Sequence, residues 1–160
     1  MSILLQYVTQ ARLSLKDHTT CLALCLWGLD MVGPLRTGRS GFTHVLVAVD
    51  KFTKWIEAKP IKNLEASTTV SFIRELTFRY GVPHNIITDN GSNFDSDEFR
   101  AFCASQGTRV DDASVAHPES NGQAKRANGL ILKGLKPRLM RDLKHAAGAW
   151  VDELPSVLWD

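Results

Sequence analysis

The run His44-Val45-Leu46-Val47-Ala48-Val49-Asp50 decides the fold: five consecutive apolar residues, three of them valine, lie between polar ends. β-Branched side chains in an unbroken run fit the centre of a sheet whose two faces are both covered. Upstream, Trp27–Val32 reads as a second buried strand, stopped by Gly33-Pro34, with a Gly/Ser/Arg-rich turn at Thr37–Gly41 between them. Downstream, Trp55-Ile56-Glu57-Ala58-Lys59-Pro60 reads as an edge strand ended by proline. Short links between these three runs predict an antiparallel meander.

Further along, helical spacing of Val70, Ile73, Leu76 and Phe78 predicts a helix over about 65–80, stopped by Gly81. Asn85–Thr88 follows as a short buried strand. Asp95–Ser105 is expected to be a second helix, with Ser96 as a possible N-cap and Phe99 and Phe102 facing inward. Thr108–Val115 would be a fifth strand, weakened by Asp111 and Asp112. After a loop at 116–122, Leu132, Leu135, Leu139 and Leu143 mark one face of a long helix, which Pro137 should kink. A last helix over 144–160 is expected to be interrupted at Pro155. The order of elements predicts an α/β fold, a five-stranded mixed sheet flanked by helices. Residues 1–26 show no clear period.

Composition sets limits. The chain of 160 residues suits one domain, and its 44% apolar and 22% charged content is that of a globular protein, neither disordered nor membranous. No apolar run is long enough to span a bilayer, and the N-terminus lacks the pattern of a secretory signal. The net charge of +2 is too small to argue for nucleic acid. Its distribution says more: Lys125, Arg126, Lys133, Lys136, Arg138, Arg141 and Lys144 stand against Asp142 alone, a density that suits a phosphate backbone as well as a solvated helix face. Cys21, Cys25 and Cys103 form no disulfide framework and read as free or buried thiols of a reducing compartment. Cys21 and Cys25 lie near His18 but lack the second ligand pair of a zinc site.

Two acids stand out chemically. Asp30 sits inside an otherwise apolar strand, and Asp89 ends another just before Asn90-Gly91. A carboxylate in such a strand is costly unless paired or bound to a cation. Two of them on one sheet would suit Mg²⁺ or Mn²⁺, hard ions that prefer oxygen ligands. Ordinary alternatives are a hydrogen-bonded acid for Asp30 and a turn-forming residue for Asp89.

Several motifs in order carry a resemblance: Trp27-Gly28-Leu29-Asp30-Met31-Val32-Gly33-Pro34, Val49-Asp50-Lys51-Phe52-Thr53-Lys54-Trp55, Tyr80-Gly81-Val82-Pro83, Ile87-Thr88-Asp89-Asn90-Gly91, and His117–Asn128. Together they resemble the integrase catalytic core of long-terminal-repeat retrotransposons, most closely the plant Ty3/gypsy type, over 27–160. The resemblance implies a ribonuclease-H-like fold, two divalent ions (Mg²⁺ or Mn²⁺), and a polynucleotidyl transfer that processes the element's DNA ends and joins them to target DNA. It also implies a nuclear location and possible homodimerisation through the core. Its Asp-Asp-Glu site falls on Asp30, Asp89 and, after 35 intervening residues, Lys125. Asp30 and Asp89 are thus the implied metal ligands, and a lysine occupies the place of the third acid. The DNA-contacting loop and helix map onto Asn121, Gly122, Gln123, Arg126, Asn128 and Lys133.

The lysine matters electrostatically. It brings a positive charge and no coordinating oxygen. At about 5 Å and an effective dielectric of about 20, each unit of charge is worth roughly 6 kcal/mol against a divalent ion before screening. The expectation is an integrase-like core with impaired catalysis; the alternative is a non-catalytic DNA-binding or dimerising remnant of a degraded element. Set against the family, 1–26 reads as a leader without the zinc-binding pattern, and 27–160 as a core truncated at its C-terminal end, leaving Trp150 and Trp159 partly exposed.

Overall fold

A computed structural model describes residues 25–63, 65–88, 94–112, 141 and 149–159. Its centre is a five-stranded mixed sheet in the order β3-β2-β1-β4-β5. β1 (Leu26–Val32), β2 (His44–Asp50) and β3 (Ile56–Ile61) form the expected antiparallel meander. β4 (Asn85–Thr88) and β5 (Arg109–Asp112) add in parallel on the other side of β1. The expected β5 began one residue earlier and ran to Val115; 113–115 lie outside the described residues, as do the loop at 116–122, Pro137 and the leucines of the long helix.

Alternation along the strands divides the apolar residues between two faces. Trp27, Leu29, Leu46, Ala48, Ile61 and Ile86 face the first core, where α1 (Ala66–Tyr80) and α2 (Asp97–Ser105) cover them with Val70, Phe72, Ile73, Leu76, Phe99 and Cys103. Val32, Val45, Val47 and Val49 face the second, closed by α3 (Trp150–Trp159) through Trp150 and Leu154. The strand β2 is buried from Val45 to Asp50 because both of its faces are covered.

Local signals explain the helix boundaries. Ser96 caps α2, its Oγ accepting from the Phe99 N–H at 3.2 Å. Gly81, at φ 88°, ends α1, and its N–H closes on the Thr77 carbonyl. The buried stripe of α1 is Thr69, Val70, Phe72, Ile73 and Leu76. Phe78 corrects the expected face: two residues beyond Leu76 is about 200° around a helix, and the ring is 83% exposed.

Two further corrections concern the last helix. It runs unbroken through Pro155. The ring removes one hydrogen bond, but Trp150, Leu154, Val157 and Leu158 recur on one face and hold the segment to the sheet. Trp150, expected to be partly exposed, is fully buried, and its indole N–H donates to the Arg36 carbonyl at 2.7 Å. Of Trp159, nothing beyond its place in the helix is described.

Proline is tolerated in β3 for a geometric reason. Thr43 N–H donates to the Ile61 carbonyl and Asp50 N–H to that of Trp55, so the odd-numbered residues turn their peptide groups towards β2. Pro60 falls on the outward-facing set with Ile56 and Ala58, where no ladder bond needs its missing N–H. The opposite edge, β5, carries Arg109, Asp111 and Asp112 among its described residues.

Candidate functional site

Asp30 occupies the middle of β1 with 7% of its surface exposed, and its Oδ1 accepts the Met31 N–H at 2.7 Å. It pairs with Val47 on one side. On the other, the parallel register matches Leu26 with Asn85 and Leu29 with Thr88, and Asp89 is the next residue after Thr88. Asp89 itself lies outside the described residues. So do Lys125, Asn121, Gly122, Gln123, Arg126, Asn128 and Lys133. Of the residues assigned from sequence to the site, the structure therefore places Asp30 alone.

Its setting is chemically informative. Gly28, Asp30 and Val32 share the second face by strand alternation, and the valines of that face are covered by α3. A carboxylate kept among such neighbours carries a desolvation cost that a cation would offset. Oxygen is the only donor Asp30 offers, so a hard divalent ion fits it. No group of three or more His, Cys, Asp or Glu side chains suited to a metal occurs among the described residues.

Four residues back along β1, where Leu26 pairs with Asn85, the same face carries polar groups of β4 and β5. Asn85 donates through Nδ2 to Asp111 Oδ2 at 2.6 Å, and Arg109 reaches Asp111 at 3.5 Å. The Asn85 Oδ1 is buried and makes no hydrogen bond among the described residues. Sequence reading took Asp111 only as a residue that weakens a strand. Its alternation with Arg109 on a short edge strand was the available signal that both belong to a polar surface.

Asp50 is a second buried acid with a different task. Fully buried at the end of β2, it accepts through Oδ2 from the Thr53 N–H at 2.7 Å and from Thr53 Oγ1 at 2.6 Å. Lys54 then adopts φ 64° and donates through Nζ to the Lys51 carbonyl. Trp55 donates to Glu57 Oε1 and to the Tyr80 hydroxyl, each at 3.0 Å, while Arg79 contacts Glu57 Oε2 at 2.8 Å. Tyr80 also donates to Glu57, and burial followed by that carboxylate raises its pKa. The Asp50–Trp55 motif thus builds the β2–β3 turn and ties β3 to α1. Its contribution is architectural.

The cysteines differ from the sequence expectation. Cys25 is disulfide-bonded, with its partner outside the described residues; spacing alone does not distinguish thiols from a bridge. Cys103 is free and buried, and burial pushes its thiol up to about 11. No helix among the described residues is long and apolar enough to cross a membrane.

Comparison with known proteins agrees with the fold described above. The family described as integrase core domain matches residues 23–118, a span that includes Asp30 and Asp89 and ends before Lys125. An uncharacterized protein of Caenorhabditis elegans is 34% identical over 107 residues, which is 67% of this chain and 8% of that protein. The Pro-Pol polyprotein of simian foamy virus type 3 is 33% identical over 129 residues, 81% of this chain and 11% of the polyprotein. The Gag-Pol polyprotein of feline leukemia virus is 30% identical over 135 residues, 83% and 8% respectively. The chain spans about a tenth of the length of these curated relatives.

Proposed function

The chain belongs to the integrase core domain family, and from that premise we propose that it is a DNA-binding polynucleotidyl transferase core of a long-terminal-repeat retrotransposon, of the plant Ty3/gypsy type, whose catalysis Lys125 impairs. The observation that carries this reading is the buried carboxylate of Asp30, held in an apolar strand at the register position beside the residue that follows Thr88.

In an intact site of this kind, divalent ions bound between acids would activate the attacking oxygen and stabilise the leaving one. Asp30 and Asp89 are the residues that would hold them here. Asp30 fits the role: it is buried, supplies only oxygen, and is fixed by the Met31 amide. Lys125 subtracts a ligand and adds a positive charge to the same set. The retained function is DNA binding, through Asn121, Gly122, Gln123, Arg126, Asn128 and Lys133, with phosphate contacts that position a duplex without reading its sequence.

The test compares the parent chain with Lys125→Glu in a Mn²⁺-dependent strand-transfer assay on DNA ends of the element type. The parent is expected to be inactive while still binding the duplex. Lys125→Glu is expected to gain activity that Asp30→Asn removes. A parent chain that already transfers strands, or a Lys125→Glu variant that binds DNA and stays inactive, would sink the assignment of the defect to Lys125.

A further inference from the structure

A cavity of about 450 Å³ opens at the β3 edge of the sheet, between that strand, the segment after it and the first turns of α1. Phe42, which packs against the second-face cluster, forms one wall, and Ser67 and Ser71 of α1 form the other, so the cavity straddles the edge. Its lining is rich in donors: Lys59, Lys62, Asn63, Ser67 and Ser71 face a single carboxylate, Glu65. Lys59 is committed to Glu75 by an ion pair. Lys62 is exposed and makes no ion pair among the described residues, while its backbone carbonyl is held by Thr43 Oγ1 at 3.0 Å. The cavity lining therefore combines an exposed cation that makes no ion pair among the described residues with the serines of α1.

We infer that this cavity binds a backbone phosphate of a nucleic-acid strand, with Lys62 as its cation and Ser67 and Ser71 as hydroxyl donors. The inference rests on the DNA-binding reading above and adds a contact outside the residues assigned to it. Position supports it. Asp30 pairs with Val47 and Val47 with Ala58, so two strand spacings, about 10 Å, separate the Asp30 and Ala58 backbones. The cavity begins one residue beyond Ala58. Asp30 lies on the face of Ala58 and Phe42, whereas α1 covers the other, so a duplex at Asp30 would reach Lys62 and the serines by crossing the β3 edge, its phosphates recurring about every 3.4 Å of axis on each strand. A compact anion also matches the donor set, whereas a peptide strand would meet Pro60 on the open edge.

The experiment uses the full chain and a short fluorescein-labelled duplex, followed by anisotropy at several salt concentrations. Lys62→Ala and Ser67→Asp change exposed residues, and unchanged melting temperatures confirm folding. Each is expected to weaken binding about three- to tenfold, and Lys62→Ala to make the salt slope shallower by about one. Arg39→Ala, whose exposed guanidinium pairs with Asp152 at 3.6 Å, should alter neither. A parent chain that fails to bind the duplex overturns both the DNA-binding reading and this site. A parent that binds, with Lys62→Ala and Ser67→Asp matching it in affinity and slope, overturns the site alone. Inorganic phosphate that displaces the duplex equally well from the parent and from Ser67→Asp also overturns it.

Discussion

Removing the Trp150 side chain should unfasten α3 from the sheet, and the structure sets the scale. The indole is fully buried between the β1–β2 connection and the valine face of β2. A tryptophan buries 150–250 Å², so about 25 cal/mol per Å² gives roughly 4–6 kcal/mol for the whole side chain. Alanine retains part of that area, and Trp150→Ala is expected to cost about 3–5 kcal/mol. Trp150→Phe keeps most of the packing but leaves the Arg36 carbonyl without its donor, a loss of about 0.5–1.5 kcal/mol. Gly38→Ala attacks the same contact from the other side, because a Cβ there would lie 2.8 Å from both the Trp150 indole nitrogen and a Val151 methyl. Overpacking of that kind costs about 1–3 kcal/mol. Urea unfolding followed by circular dichroism reads these values from the midpoint, provided the slope stays constant. For a chain of this length the alanine variant should also melt roughly 6–20 °C lower. A loss below about 1 kcal/mol for Trp150→Ala, judged against the usual 3–5, would refute the docking of α3 described above.

Two other groups give predictions of their own. Lys51 is buried, its Nζ makes no hydrogen bond among the described residues, and burial followed by the Lys54 charge lowers its pKa to about 8. Unfolded lysine titrates near 10.4, so between about 8 and 10.4 the unfolded chain binds more protons and stability rises with pH. Lys51→Met should therefore stabilise the chain by up to roughly 3 kcal/mol at pH 7, with a gain that shrinks towards pH 10; an equal gain at both would contradict the assignment. The Cys103 thiol, pushed up to about 11, should resist alkylation at pH 8 until the chain unfolds, as peptide mass spectrometry before and after denaturant would show.

Much of the architecture was legible where local chemistry and tertiary packing agree. His44–Asp50 is the clearest case: a run that suits burial on both faces is buried on both faces, with the expected bounds. Ser96 and Gly81 were legible because a cap and a stop act within one turn. Phe78 was misread because apolar character was given more weight than helical phase. Trp150 was beyond a local reading, since its partner Arg36 lies 114 residues away in sequence. Pro155 was misjudged for a related reason: a propensity of the chain was outweighed by packing that only the assembled sheet supplies. At the site, Asp30 stood out because an acid in an apolar strand is costly wherever it occurs. The Asp50–Trp55 motif was legible as a family signature, but its task of closing a turn emerges only from the hydrogen bonds.

The two borders of the sheet have a consequence for how copies of this chain can meet. Pro60 leaves a gap in the outward row of donors on β3, and charged residues crowd the described part of β5. A missing donor on β3 and charged side chains along the described part of β5 both disfavour pairing with a neighbour's strand, a recognised defence against strand-by-strand growth into fibrils. Crowded molecules are thereby steered towards contacts made by side chains, which dilution or salt can undo.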